Sequence, residues 1–298
     1  MSFSRTILLL IVSTLLASCY SSSDEQLSSA ECDVDQQNRF VHEVLLDRYF
    51  WYQDVDTTLD YSSLDSPRQT LDFLIDRDRD RFSGIENAAD FDSLFEAGQY
   101  LGYGFSFSVK ADGRVWIQFI YEDSPSGRSV MQRGDEILSI NGQTVTQIID
   151  AAAWGTVFGA DEEGLPLQLS LRNSVGVEFF VELKKAIVNI NTVLHHSLIN
   201  NGGEMIGYMV FKSFLTPSNA EFPAVFEDFR AAGIRKLVLD LRYNGGGSVS
   251  VANNLASYLY ANNGSLDLFT KLLHNDKHQS SNNFFFLKPE LNKLNLQQ

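Results

Sequence analysis

Cysteine is nearly absent. Cys19 and Cys32 are the only two in 298 residues, so if Cys19 is modified, Cys32 has no partner and no disulfide framework can be built. No Cys/His cluster has metal-ligand spacing, and neither a metal nor any other cofactor is expected. Positive charge is also scarce. Lys and Arg total 23 against 38 Asp and Glu, a formal charge of -15. Such a chain repels phosphate backbones, so no nucleic-acid partner is expected. A long apolar run is missing too. The run from Ile7 to Leu16 is too short to span a bilayer. No Gly-x-Ser-x-Gly elbow occurs, and no repeat is visible.

That short run has another use. Arg5 is the sole charge in residues 1–18, and the run ends in Leu16-Ala17-Ser18-Cys19. This is the layout of an export signal. Small residues before a cysteine resemble the lipobox of bacterial lipoproteins, which implies removal of residues 1–18 and lipid on Cys19. An ordinary secretory cleavage near Ala17 or Ser18 is the alternative. Losing Arg5 leaves 22 basic against 38 acidic residues, or -16. The expected location is the bacterial cell envelope, with a lipid anchor in the membrane. Tyr20 does not look like an inner-membrane retention signal, which favours the outer membrane.

Residues 19–37 are polar and Ser-rich at the start, a flexible tether. Residues 38–98 read as a helical N-terminal domain. Phe40, Val41, Val44, Leu45 and Tyr49 form a helical stripe, ending in the aromatic cluster Tyr49-Phe50-Trp51-Tyr52. A second helix is expected over Pro67 to Ile75 with Ser66 as its cap. Residues 99–184 change to short alternating strands: Phe105 and Phe107, then Val115 to Tyr121, then Glu136 to Ile140 before the Asn141-Gly142 turn. Val145 to Trp154 reads as helix, and Leu167 to Leu171 with Val177 to Leu183 as a hairpin.

Residues 185–298 read as an α/β region. Strands are expected over Val188 to Leu198 and Met205 to Phe214, then a helix over Ser218 to Ala232. Phe222, Val225, Phe226 and Phe229 mark its apolar face, and Gly233 its C-cap. The strand Lys236 to Leu241 follows, then a helix from about Ser250 to Tyr260. That order argues for parallel strands. His195 and His196 are neighbours in a strand and point to opposite faces, so they should not share a metal. Leu268 to Leu273 and Phe284 to Leu287 are further strands. Phe284-Phe285-Phe286 suits either a buried strand or one whose covering layer is absent.

The most informative stretch is Lys236 to Gly247. The apolar run Leu237 to Leu241 reads as a strand buried on both faces. It drops through Arg242-Tyr243-Asn244 into Gly245-Gly246-Gly247, which free the backbone to adopt positive φ. The helix that follows adds free N–H groups and a positive dipole end. Together these suit a negative oxygen: a phosphate, a carboxylate or the oxyanion of acyl transfer. The glycine spacing matches neither nucleotide-binding pattern, which leaves a nucleotide enzyme as a weak alternative.

Two further motifs carry a resemblance. Gly102-Tyr103-Gly104-Phe105 resembles the carboxylate-binding loop of PDZ domains, whose successive N–H groups hold a peptide C-terminus. Gly134 to Gly142 resembles a second PDZ stretch, and Asp123-Ser124-Pro125-Ser126 sits where that fold has a Ser-Pro turn. A PDZ module followed by Asp240-Leu241-Arg242-x-Asn244-x-Gly246-Gly247 is similar to the C-terminal-processing (tail-specific) serine proteases. The N-terminal aromatic cluster with Asp80-Arg81-Phe82-Ser83 is similar to their helical region. The fold class implied is multidomain α+β and α/β: a helical N-terminal region, a PDZ-like β-rich domain and an incomplete α/β protease core.

The resemblance implies that Gly102, Tyr103, Gly104 and Phe105 bind the C-terminal tails of protein substrates. It places Gly246 and Gly247 at the oxyanion hole, with Arg242 and Asn244 bracing the loop. A serine activated by a neutral lysine would cut the tail. The serine-bearing and lysine-bearing stretches of the family are not recognisable before Gln298. Ser248 is a poor substitute, since only Lys271 and Lys277 are available as a base, and a helix-capping role suits it better. The competing function is a non-catalytic, membrane-tethered PDZ lipoprotein that binds peptides.

Overall fold

The computed structural model describes residues 33–260, 267–288 and 294–296. The expected export signal, Cys19, Cys32 and most of the expected tether lie outside the described residues. The described chain forms two compact units. One holds residues 33–46 and 53–81; the other holds residues 47–52 and those from 82 onward.

In the first unit, helix α1 (Val34–Arg48) starts inside the stretch expected to be a tether. A reciprocal pair explains the early start. Gln36 N–H donates to Asp33 Oδ1 at 2.8 Å, and Asp33 N–H to Gln36 Oε1 at 3.1 Å. The buried face is also not the apolar stripe. Asn38, His42 and Leu45 are buried, whereas Phe40 is 67% exposed. Polar partners turn the helix this way. Asn38 Nδ2 donates to Leu64 O at 2.9 Å, and His42 Nδ1 lies 2.8 Å from Tyr61 Oη. Helix α2 (Pro67–Leu74) has Pro67 in its first turn and Ser66 accepting from Gln69 N–H.

The second unit opens with the short helix α3 (Ala88–Asp92), then β1 (Gln99–Gly102). The PDZ-like domain follows. Its strands are β2 (Phe105–Val109), β3 (Val115–Ile120), β4 (Glu136–Ile140), β5 (Gln143–Thr144), β6 (Pro166–Arg172) and β7 (Glu178–Lys184). They run β2-β3-β4-β6-β7, antiparallel throughout, with β5 on β4. Asn141 and Gly142 have φ of 49° and 80°, the two positive angles of a type I′ hairpin. Helix α4 (Val145–Asp150), capped by Thr144 and Gln147, ends short of the expected Trp154 because Ala152 turns to φ 49°. Val115, Ile117, Ile137, Ile140, Ile148, Leu167, Leu169 and Leu171 are at most 2% exposed. Burial of such side chains stabilises by about 1.5–3 kcal/mol each.

The expected strand Val188 to Leu198 is two strands. β8 (Ala186–Asn189) pairs with β1, and β9 (Val193–Asn201) pairs with β10 (Glu204–Phe211). Glu221 enforces the break. Its carboxylate accepts from Thr192 N–H at 2.8 Å and Val193 N–H at 2.7 Å. β10 pairs in parallel with β11 (Lys236–Asp240) through helix α5 (Ser218–Ala231), the expected crossover. Phe222, Phe226 and Phe229 are fully buried with Val251 and Leu255 of helix α6 (Val249–Leu259).

β11 is not buried on both faces. It is the edge of the three-stranded sheet, and Val238 is 50% exposed while Leu237 and Leu239 pack inward. β12 (Leu268–Leu272) and β13 (Asn283–Phe286) form a separate ribbon. Phe284 and Phe286 stay half-exposed, so the aromatic run is not a buried strand. Among the described residues no helix is long and apolar enough to cross a membrane. None of their His, Cys, Asp and Glu groups could hold a metal ion. His196 bonds Asp228 at 3.0 Å on one face, and His195 meets the Tyr208 ring on the other.

Candidate functional site

β11 delivers Asp240, buried at its C-terminal end, into a clamp. Asp240 accepts from Arg242 N–H at 3.0 Å, from Arg242 Nε at 2.9 Å and Nη2 at 2.6 Å, and from Tyr208 Oη at 2.8 Å. The Arg242 guanidinium holds the Asp240 carboxyl well below the usual carboxylate range and is itself raised. The same carboxylate pushes the Tyr208 hydroxyl up. Arg242 is committed to its own loop, and its side chain is mostly exposed.

The loop is then tied across to the chain after β10. Asn244 Nδ2 donates to Phe211 O at 3.3 Å, and Asn244 Oδ1 accepts from Gly246 N–H at 2.8 Å. Phe214 N–H donates to Gly246 O at 2.9 Å, and Ser248 N–H to Phe214 O at 2.7 Å. Gly247 sits at φ 135°, where a Cβ would meet Phe214 O at 2.4 Å. Only glycine fits that approach.

This bears on the oxyanion assignment. The Gly246 N–H is held by Asn244 and is not a free donor. The Gly247 N–H has no hydrogen-bond partner among the described residues, so one of the two named amides is available. Gly245, Gly246 and Gly247 line a cavity of about 300 Å³ with Lys212, Ser213, Leu94, Phe95, Tyr121, Ile190 and Leu215. Ser248 stands at the start of α6, its Oγ 2.9 Å from Ser250 Oγ. Neither lysine named as its base approaches it. Lys271 Nζ lies over the Phe284 ring and Lys277 Nζ over the Tyr52 ring.

The four residues of the expected peptide loop are together. Gly102 ends β1, and Phe105 opens β2 at the edge of its sheet. The Ser-Pro turn holds the loop from behind. Tyr121 N–H donates to Gly104 O at 2.9 Å, and Ser126 N–H to Tyr103 O at 3.0 Å. Ser126 Oγ also donates to Tyr103 O at 2.6 Å. Two loop carbonyls are thus engaged, and the Gly104 N–H faces the Tyr100 hydroxyl. Gly104 has φ 86°, and a Cβ there would lie 2.0 Å from Ser124 Oγ. Tyr103 is buried, its hydroxyl 3.3 Å from Phe158 O and Leu165 O.

Sequence reasoning missed four neighbours. The Tyr100 ring packs on Gly102, where a Cβ would meet it at 2.3 Å. Burial pushes its phenol up to about 12, opposed by the Gly104 N–H. Trp154 stacks on Phe107 at 4.7 Å, and Phe158 packs on Phe105 and Phe107. Lys212 lines the glycine-loop cavity. No motif marks any of them, because each meets its site only through the tertiary fold. The two sites belong to one compact unit. Arg133 joins them, with Nη2 donating to Tyr243 Oη at 3.2 Å and Nε to Gln118 O at 3.0 Å.

Comparison with known proteins agrees with this layout. Residues 36–84 match the peptidase S41 N-terminal domain, and residues 205–284 match peptidase family S41. The chain is 24% identical over 236 residues to the carboxy-terminal processing protease CtpA of Bacillus subtilis, covering 77% of this chain and 46% of that protein. It is 22% identical over 258 residues to a probable CtpA-like serine protease of Staphylococcus saprophyticus, covering 86% and 49%. The chain thus spans about half the length of these curated relatives. A crystal structure of a putative S41 protease from Bacteroides fragilis shares the fold, with a TM-score of 0.66 at 23% identity over 86% of this chain and 69% of that one. With two family segments flanking a PDZ-like domain, the chain is similar to the C-terminal-processing proteases of peptidase family S41.

Proposed function

We propose that this chain captures the C-terminal tail of a protein substrate on its PDZ-like domain and offers a peptide bond of that tail to the Gly247 amide for serine-type cleavage. The observation that carries this is Gly247, which lines the cavity, is fixed by the bonds of Gly246 and Ser248 to Phe214, and has an N–H with no partner among the described residues. Attack on a peptide carbonyl puts negative charge on its oxygen. A pre-aimed amide donor stabilises that charge, by about 2.7–4 kcal/mol where one such donor has been removed. The N-terminal end of α6 adds a favourable dipole.

The free edge of β2 accepts an extended peptide as an added strand, and the loop from Gly102 to Phe105 receives its terminal carboxylate. The family resemblance calls for a nucleophilic serine and a lysine base, and among the described residues Ser248 has no base beside it. Export and lipid on Cys19 complete the reading, with the protein held at the cell envelope.

Titration of the chain with peptides bearing free or amidated C-termini tests recruitment. Tighter binding of the free form is expected, and equal affinity refutes the carboxylate loop. A fluorophosphonate probe should leave Ser248 unlabelled; labelling there would make Ser248 the nucleophile. Radiolabelled fatty acid should enter the protein and fail to enter Cys19→Ala.

A further inference from the structure

Among the described residues, Lys212 is the one charged side chain lining the glycine-loop cavity. It follows β10 directly, and its N–H donates to Thr192 O at 2.7 Å, so its backbone is fixed. Its side chain is half-buried, with Nζ 5.9 Å from the centre of the Phe119 ring. No carboxylate among the described residues lies within ion-pair distance of it. Lys110, Lys184 and Lys271 also lack an ion pair among the described residues but are exposed, whereas Lys212 is half-buried. Lys236 pairs with Glu204 at 2.9 Å, and buried Lys185 with Asp161 at 3.3 Å and Ala160 O. Leu94, Phe95, Ile190 and Leu215 make the rest of the wall largely apolar.

A half-buried ammonium in an apolar cavity gains most from a ligand that brings the missing negative charge. Gly247, whose N–H has no hydrogen-bond partner among the described residues, lines the same cavity. We propose that Lys212 makes this cavity a carboxylate subsite, which favours peptides carrying an acidic group beside the bond presented to Gly247. The inference rests on the peptide-presenting reading above and adds its selectivity. Desolvation already holds the Lys212 ammonium below the usual lysine range, and a bound carboxylate would offset that. The carboxylate is either an Asp or Glu side chain or the α-carboxylate of a short tail.

The test uses the full chain, ¹⁵N-labelled, with the amide signals of Gly245, Gly246 and Gly247 as a local readout. Four alanine-based nonapeptides are titrated: central Glu or central Gln, each with a free or an amidated C-terminus. The peptide with the favoured carboxylate should shift these signals at roughly tenfold lower concentration than its neutral counterpart. Discrimination by Glu against Gln identifies a side chain, and by free against amidated terminus the α-carboxylate. The ratio should fall to about one in Lys212→Met and return in Lys212→Arg. If wild type shows no discrimination, or Lys212→Met keeps it, the subsite is refuted while peptide presentation stands. If no peptide shifts the three glycine signals, both readings fail.

Discussion

The three loop glycines look alike in sequence and should respond very differently to alanine. At Gly245 φ is not positive and no atom lies within 4 Å of the place a methyl group would take, so alanine fits without strain. Its effect should be near zero, or stabilising by about 0.4–1 kcal/mol through the unfolded chain. At Gly246 there is space, but φ is 98°, so alanine should destabilise by about 1–2 kcal/mol through backbone strain. At Gly247 φ is 135°, and the new Cβ meets Phe214 O at 2.4 Å and Phe214 C at 2.7 Å. Those are backbone atoms and cannot rotate away. Strain of about 1–3 kcal/mol adds to two disturbed backbone bonds at about 1 kcal/mol each. The sum is roughly 3–5 kcal/mol, a fall in Tm on the order of 10 °C for a chain of this size. Urea unfolding followed by circular dichroism measures the series. If Gly247→Ala falls within about 0.5 kcal/mol of Gly245→Ala, the tight approach to Phe214 is wrong, and the placement of the Gly247 amide with it.

Glu221→Ala strips both acceptors from the kink between β8 and β9 and should lower stability by about 2–4 kcal/mol, read from thermal melts. Gly104→Val drives a side chain into Ser124 and should abolish binding of free-carboxylate peptides, whereas Gly113→Ala, with open space, should keep it. Because the folded Asp240 carboxyl is more acidic than an unfolded one near 3.9, its contribution is complete above that value and is lost as pH falls below it. Urea midpoints from pH 6 down to 2 should therefore drop less in Asp240→Asn than in wild type; parallel slopes would remove the clamp from the acid response. Asn244→Ala frees the Gly246 N–H, and its amide should exchange with deuterium faster while Ser248, bonded to Phe214, stays protected.

Local chemistry alone determined much of this protein. Asn141-Gly142 requires a hairpin, Ser66-Pro67 starts a helix, and the 3.6-residue spacing of Phe222, Val225, Phe226 and Phe229 names the buried face of α5. Such signals are read within a few residues, so they survive without a fold. Tertiary structure decided the rest. Whether α1 buries Phe40 or Asn38 depends on carbonyls at Tyr61 and Leu64. Whether Val188 to Leu198 is one strand or two depends on a carboxylate from α5. The same holds at the site. Glycines were legible as a loop built for negative charge, but which amide stays free depends on the reach of Asn244, and a lone lysine beside them was invisible until β10 brought it there. Distant partners choose among conformations that the local sequence leaves nearly equal in energy.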